Sequence, residues 1–333
     1  MTPEEEFTSS TSLASRRALG QFFTPWSVAL LMADWACGKE PLSILDPSCG
    51  PGILARAVSH ALTSATTVTC MDLDPIALDM ASRNTPVSAS VHMHQGDFLG
   101  CDFLDGFDAV IANPPYLRRH AAACSPGMLG SIARRAGVHV PRTANAYMLF
   151  LLHAASMLKP GGRMSFLVPS EWWNSDFRQP LKEFLLRDGF LRRVACFDRK
   201  SAVFADAMTT SCILFMESNT STQSREASKA TESVFVHRIP AGQDMDALSS
   251  LPALEACAPA VALHHSSLWM KNKWDAIIRV RKSTCLRHSC PLGHWLRASA
   301  AWLRVPTRSS MYRVTGWTRW ACTGCLAWAM RGM

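Results

Sequence analysis

The chain has 333 residues, with 34 Lys and Arg against 26 Asp and Glu and a formal charge of +8. That length buries one sizeable core and leaves room for a second, smaller domain. No apolar run is long enough to span a bilayer: Ala144 to Leu158 is interrupted by Asn145, His153 and Ser156 and reads as a buried helix. Glu4, Glu5 and Glu6 are the wrong chemistry for a secretory signal, and the twelve scattered cysteines suit reduced thiols, so a cytoplasmic protein without membrane contact is expected. The charge is unevenly spread. After Asp275 there are ten Lys and Arg and no acid, whereas the residues before that point carry 24 basic groups against 26 acidic ones.

In chain order, Thr24-Pro25 followed by Val28, Leu31, Met32 and Trp35 predicts a helix capped by Thr24, with Pro25 in its first position. Leu42 to Asp46 is a short buried strand, Ile53 to Leu62 a helix, Thr67 to Asp72 a second strand and Pro75 to Arg83 its helix. Val91 to His94 and Phe107 to Ala112 are further strands. Thr143 opens a long apolar helix that Lys159-Pro160-Gly161-Gly162 stops. Arg163 to Val168 is a fifth strand, Pro180 to Leu186 a helix, and Leu191–Phe197 and Thr210–Phe215 are two more strands. This alternation predicts an α/β fold: a Rossmann-like, doubly wound, mostly parallel sheet with an antiparallel edge. Residues 1–217 form that domain. Residues 218–233, rich in Ser, Thr and charge, read as a linker, and 234–284 start something new.

Two motifs carry the chemistry. Asp46-Pro47-Ser48-Cys49-Gly50-Pro51-Gly52 is a glycine turn after a strand, where Gly50 and Gly52 let the backbone approach a nucleotide-like ligand. Asp72, at the end of the next strand, can accept hydrogen bonds from both ribose hydroxyls; Asp74 offers the same chemistry two residues on. At the third strand's end, Asp97 suits an adenine amino group and Phe98 its face, although Asp97 also suits a turn cap and Phe98 a core position. Asn113-Pro114-Pro115-Tyr116 ends the fourth strand. Its two prolines fix φ and remove two N–H donors, so the turn presents acceptors. Asn113 Oδ1 and the Pro114 carbonyl can each accept a hydrogen from the N6 amino group of a flipped-out adenine, and Tyr116 can stack on the base. Together the motifs point to methyl transfer from S-adenosyl-L-methionine (AdoMet) onto an exocyclic nitrogen.

On these residues the chain resembles the gamma-class N6-adenine DNA methyltransferases of restriction–modification systems, which have the class I AdoMet-dependent fold. The family places a segment like Gly20-Gln21-Phe22-Phe23-Thr24-Pro25 ahead of the glycine motif, which implies cofactor contacts from Gln21, Thr24 and Pro25. Asp46 to Gly52, Asp72, Asp97-Phe98 and Asn113 to Tyr116 match its remaining motifs, and Phe204 falls where members place a second aromatic against the flipped base. The resemblance covers roughly residues 15 to 217. It implies double-stranded DNA as partner, with a restriction endonuclease as possible counterpart. Methyltransferases of protein glutamine or RNA share Asn-Pro-Pro-Tyr but generally lack Gln-Phe-Phe-Thr-Pro; a non-catalytic AdoMet-binding remnant is a third reading.

The chain departs from the family at its C-terminus. Members often carry Arg-Gly-Ile-Ala-Thr-Gly-Ala-Asn-x-Phe-Phe in a target recognition domain, and this sequence lacks it. Residues 285–333 hold Trp295, Trp302, Trp317, Trp320 and Trp328 among Arg, Ser, Cys and Gly, without acid or period. Trp302 to Arg308 can be encoded TGG CTA CGG GTG CCA ACG AGG, which read two bases later gives Ala-Thr-Gly-Ala-Asn-Glu. A frame change between about Lys282 and Ala298 is therefore expected, leaving an incomplete C-terminal domain and an aberrant basic tail. Cys322 and Cys325 have a zinc-like spacing, but Cys285 and Cys290 (with His288 or His294 as alternates) are loosely spaced and far from them, so no metal is expected.

Overall fold

The computed structural model describes residues 2–10, 24–62, 66–86, 90–103, 106–116, 124–174, 179–198, 210–219, 233–269 and 274. The chain divides into two units, Met1–Arg279 and Val280–Met333, and every described residue lies in the first.

The strands are β1 (Ser43–Asp46), β2 (Thr67–Asp72), β3 (Ser90–Gln95), β4 (Phe107–Ala112), β5 (Leu158–Pro169), β6 (Leu191–Phe197), β7 (Ser211–Glu217), β8 (Ser233–Ile239) and β9 (Val261–His264). They form one sheet in the order β3-β2-β1-β4-β5-β7-β6-β8-β9. From β3 to β5 all pairs are parallel; β7 is antiparallel to both β5 and β6, β6 pairs parallel with β8, and β9 closes the edge antiparallel to β8. Around them lie α1 (Pro3–Ser10), α2 (Trp26–Cys37), α3 (Ile53–Ala61), α4 (Pro75–Asn84), α5 (Pro126–Ala136), α6 (Ala146–Ser156), α7 (Gln179–Leu186), α8 (Leu251–Cys257) and α9 (His265–Trp269).

Period-two alternation sends successive strand residues to opposite faces, and both faces are covered. In β4, Val110 and Ala112 join one core with Leu129 and Ile132 of α5 and Leu149 and Leu152 of α6. Their neighbours Ala109 and Ile111 join the other core, with Leu31 and Trp35 of α2, Leu54 and Val58 of α3 and Leu78 of α4. This is why the central strands read as unbroken apolar runs.

Several boundaries differ from the sequence reading, and three of the differences bear on packing or domain organisation. Helix α2 begins at Trp26 with Pro25 in the capping position and no side-chain cap, so the Thr24 hydroxyl is not used there. Lys159-Pro160-Gly161-Gly162 does not lie between α6 and β5 but belongs to β5, which starts at Leu158. A Cβ on Gly162 would stand 2.8 Å from the Asp108 carbonyl, so the glycine serves close strand packing.

The third difference corrects the domain boundary at 217. β8 pairs with β6, Val234 and Val236 enter one core, and Ile239, Leu248 and Leu254 enter the other. The described residues after 233 therefore complete the first sheet. The linker at 220–232 lies outside the described residues. A chain ending at Glu217 would lack β8 and uncover the edge of β6 and the core groups against which those residues pack. Residues 1–279 are expected to melt cooperatively by circular dichroism, and residues 1–217 to show no cooperative transition. Matching melts would refute the corrected boundary.

Candidate active site

Parallel pairing of β2, β1 and β4 brings their C-terminal ends to one rim, with β3 beside them. The chain runs outward from β1 through β2 to β3, then returns to β4 on the other side of β1. The turns after β1 and β4 diverge at this switch point and leave a crevice. There lies a cavity of about 430 Å³, lined among others by Thr24, Ser48, Gly50, Asp72, Leu73, Asp97, Phe98, Asn113, Pro115 and Phe150. That volume is ordinary for a small-molecule site.

The Asp72 carboxylate is held in place from two sides. Gly50 N–H donates to its Oδ2 at 2.8 Å and Asp74 N–H to its Oδ1 at 3.0 Å; burial raises its pKa above the usual carboxylate value. Asp74 lines the cavity too, but its carboxylate caps α4 by accepting from Ile76 N–H at 2.9 Å. Gly50 has φ +52° on the cavity wall, the left-handed conformation that glycine takes without strain.

Asp97 is both a cap and a wall residue: its exposed carboxylate accepts from Leu99 N–H at 3.0 Å. Phe98 is likewise core and wall, 1% exposed, with ring centroids 5.2 Å from Phe150 and 4.8 Å from His153. Neither reading excludes the other here, because the core ends at the cavity floor.

Two contacts with described residues help to anchor Asn113. Its Nδ2 donates to Thr24 Oγ1 at 3.0 Å, and its carbonyl accepts from Ser48 Oγ at 3.3 Å. Pro115 lines the cavity, whereas Pro114 is buried away from it.

Four further candidates do not stand on the cavity wall. Asp46 is wholly buried beneath the turn; Ser48 N–H reaches its Oδ1 at 3.3 Å, its Oδ2 has no hydrogen-bond partner among the described residues, and burial pushes its pKa up to about 8. Gly52 (φ +91°) serves helix packing, since a Cβ there would meet Ala81 Cα at 3.0 Å. Pro25 faces a neighbouring opening beside Trp26. Tyr116 is half-buried, its hydroxyl 3.5 Å from the Leu167 carbonyl, and burial raises its phenol pKa. The ring's expected stacking surface is therefore not part of this wall. Gln21 and Phe204 lie outside the described residues, as do Cys285, Cys290, Cys322 and Cys325.

The sequence reading missed Phe7, Ser48 and Phe150. Phe7 lines the cavity from α1, which packs Phe7 on Ala77 and Met80 and ties Glu4 to Arg56 at 2.6 Å. A signal for α1 was present in Thr2-Pro3-Glu4-Glu5. Thr2 Oγ1 accepts from Glu5 N–H at 3.2 Å and Thr2 N–H donates to Glu5 Oε2 at 2.7 Å, a capping box with proline at the first helical position.

Carboxylates at two strand ends, a glycine turn and apolar walls together suit a ligand with hydroxyls, a flat ring and a short arm. The adjoining turn offers an oriented amide. Strand order, helices on both faces and a cavity at this switch point define the class I AdoMet-dependent methyltransferase fold. A class I methyltransferase from Listeria monocytogenes overlays with a TM-score of 0.54 at 18% identity, covering 77% of this chain and 78% of that one. The family model for N-6 DNA methylase matches residues 5–247, and the chain belongs to that family. AdoMet is the cofactor of this fold and family. Among curated relatives, the type II methyltransferase M.AccI of Acinetobacter calcoaceticus is 30% identical over 212 residues, 63% of this chain and 39% of that protein. The release factor glutamine methyltransferase of Moorella thermoacetica is 34% identical over 135 residues, 40% of this chain and 47% of that one. The chain thus spans less than half the length of either relative.

Asp46 gives this site a pH signature. Unfolded, the carboxyl loses its proton near pH 4; folded, it keeps the proton until about 8. Unfolding therefore releases a proton across that window, and stability falls as pH rises from 4 to 8. Asp46→Asn should flatten this slope and stabilise the ligand-free protein at pH 8, on the order of 2 kcal/mol. Urea unfolding at several pH values measures it; an unchanged slope would show that Asp46 is ionised in the fold.

Proposed function

We propose that the chain is a cytoplasmic gamma-class DNA adenine methyltransferase of a restriction–modification system. It transfers the AdoMet methyl group to N6 of an adenine flipped out of double-stranded DNA, and a restriction endonuclease is its counterpart. The observation that carries this reading is the Asn-Pro-Pro-Tyr turn at the end of β4, abutting the cavity in a chain whose family match spans residues 5–247.

In this reading Asp72 holds the ribose hydroxyls, Asp97 the adenine amino group of the cofactor, and Leu73, Phe98 and Phe150 supply apolar wall. The resemblance also assigns cofactor contacts to Gln21 and Pro25. AdoMet supplies an electrophilic methyl on a sulfonium. Asn113 Oδ1 and the Pro114 carbonyl accept the two N6 hydrogens, drawing electron density onto N6 and favouring the pyramidal geometry of attack. Tyr116 and Phe204 hold the base once it has left the stack, which costs a few kcal/mol that contacts elsewhere on DNA must offset. Asp46 and Gly52 act indirectly, by shaping the glycine turn and seating α3 against α4.

DNA contacts belong to a target recognition domain after the sheet, and we infer that its coding frame is lost between about Lys282 and Ala298. With synonymous codons, Ser299 to Ser310 read two bases later give Arg-Gly-Val-Ala-Thr-Gly-Ala-Asn-Glu-Val-Phe, close to the motif this chain lacks. Sequencing the gene tests it: a second frame that fails to continue this motif removes the inference.

The glutamine reading has one favourable observation, the 34% identity to the release factor enzyme over 135 residues. That similarity covers 40% of this chain, so the family match over 5–247 weighs more. Asn113→Ala should lower methyl transfer to unmethylated DNA by about a hundredfold or more, with AdoMet affinity changed less than about threefold. Loss of AdoMet binding in that variant would contradict the role given to Asn113.

A further inference from the structure

We propose that Thr24 is a positioning residue for the reaction, whose hydroxyl sets the orientation of the Asn113 amide. The proposal rests on the adenine reading above. It also departs from the resemblance, which gives Thr24 to the cofactor.

A terminal amide rotates over a broad, two-fold torsional surface, so without a partner its oxygen and NH₂ group exchange places. Here Nδ2 is bound to Thr24 Oγ1 at 3.0 Å, which places the amide oxygen on the opposite branch. The tether is stiff. Thr24 is 3% exposed and is joined through Pro25 to α2, where Val28, Leu31 and Met32 are fully buried. The α2 N-terminus takes no side-chain cap, so the hydroxyl is not consumed where a Thr-Pro helix start would use it. A second tether, Ser48 Oγ to the Asn113 carbonyl at 3.3 Å, fixes the backbone of the same residue. The two loops that line the cofactor cavity thus each hold one end of the catalytic candidate.

The side chain of Thr24→Val keeps the shape and loses the acceptor; Thr24→Ser keeps the acceptor. With DNA and AdoMet, the Val variant should lose about tenfold to a hundredfold in kcat. Its AdoMet Kd should stay within about threefold of wild type, and Thr24→Ser should recover most of the rate. A Val variant with weakened AdoMet binding and unchanged kcat overturns the proposal in favour of a cofactor contact. A second readout needs no turnover. The side-chain amide of Asn113, identified in nitrogen-15 spectra by its loss in Asn113→Ala, should exchange slowly with water in wild type and Thr24→Ser. It should exchange markedly faster in Thr24→Val. Equal exchange in all three overturns the proposal, even if wild type methylates no adenine, an outcome that would separately reject the function proposed above.

Discussion

Parallel pairing of β1 with β2 on one side and β4 on the other is the constraint on which the site depends. It forces the turns after β1 and β4 to leave the same rim in opposite directions. The gap between them brings backbone amides and strand-end carboxylates together where a ligand can meet both. Every further requirement follows from keeping that gap open. Gly50 passes through it at φ +52°, Asp72 braces the turn through Gly50 N–H, and Asp46 supports it from below.

Burying Asp46 costs stability, since its carboxyl is wholly removed from water and one oxygen has no partner among the described residues. Burial accordingly holds it neutral up to about pH 8. A neutral group beneath the turn also keeps a second negative charge away from Asp72, whose own pKa burial already raises. Two carboxyls on adjacent strand ends thus divide their tasks by environment: one shapes the turn, the other faces the cavity.

Much of the fold was legible because the central strands obey simple rules. Thr67–Asp72 and Phe107–Ala112 are recovered to the residue, since an apolar run followed by a turn motif leaves little choice of end. Lys159 to Gly162 misled because Pro and Gly ordinarily break structure, whereas here Gly162 admits the Asp108 carbonyl of a neighbouring strand. β8 was placed outside the sheet for a different reason. Its pairing with β6 is a long-range contact across a polar segment, and nothing local announces it. The strand-end residues Asp72, Asp97 and Asn113 were legible because a motif names its own position on a strand. Pro114 and Tyr116 share the motif but not the wall, which only side-chain direction decides. Phe150 was hidden for a related reason: α6 is apolar on all sides, so its sequence does not say which face meets the cavity.

The account stands on one chemical claim, that the amide presented by the turn after β4 serves adenine N6. Mass spectrometry of nucleosides from DNA treated with the protein and isotopically labelled AdoMet tests it most directly. The account predicts label in N6-methyladenine and in no other nucleoside. Label in N4-methylcytosine, or in glutamine of an added protein substrate with DNA unlabelled, would contradict it.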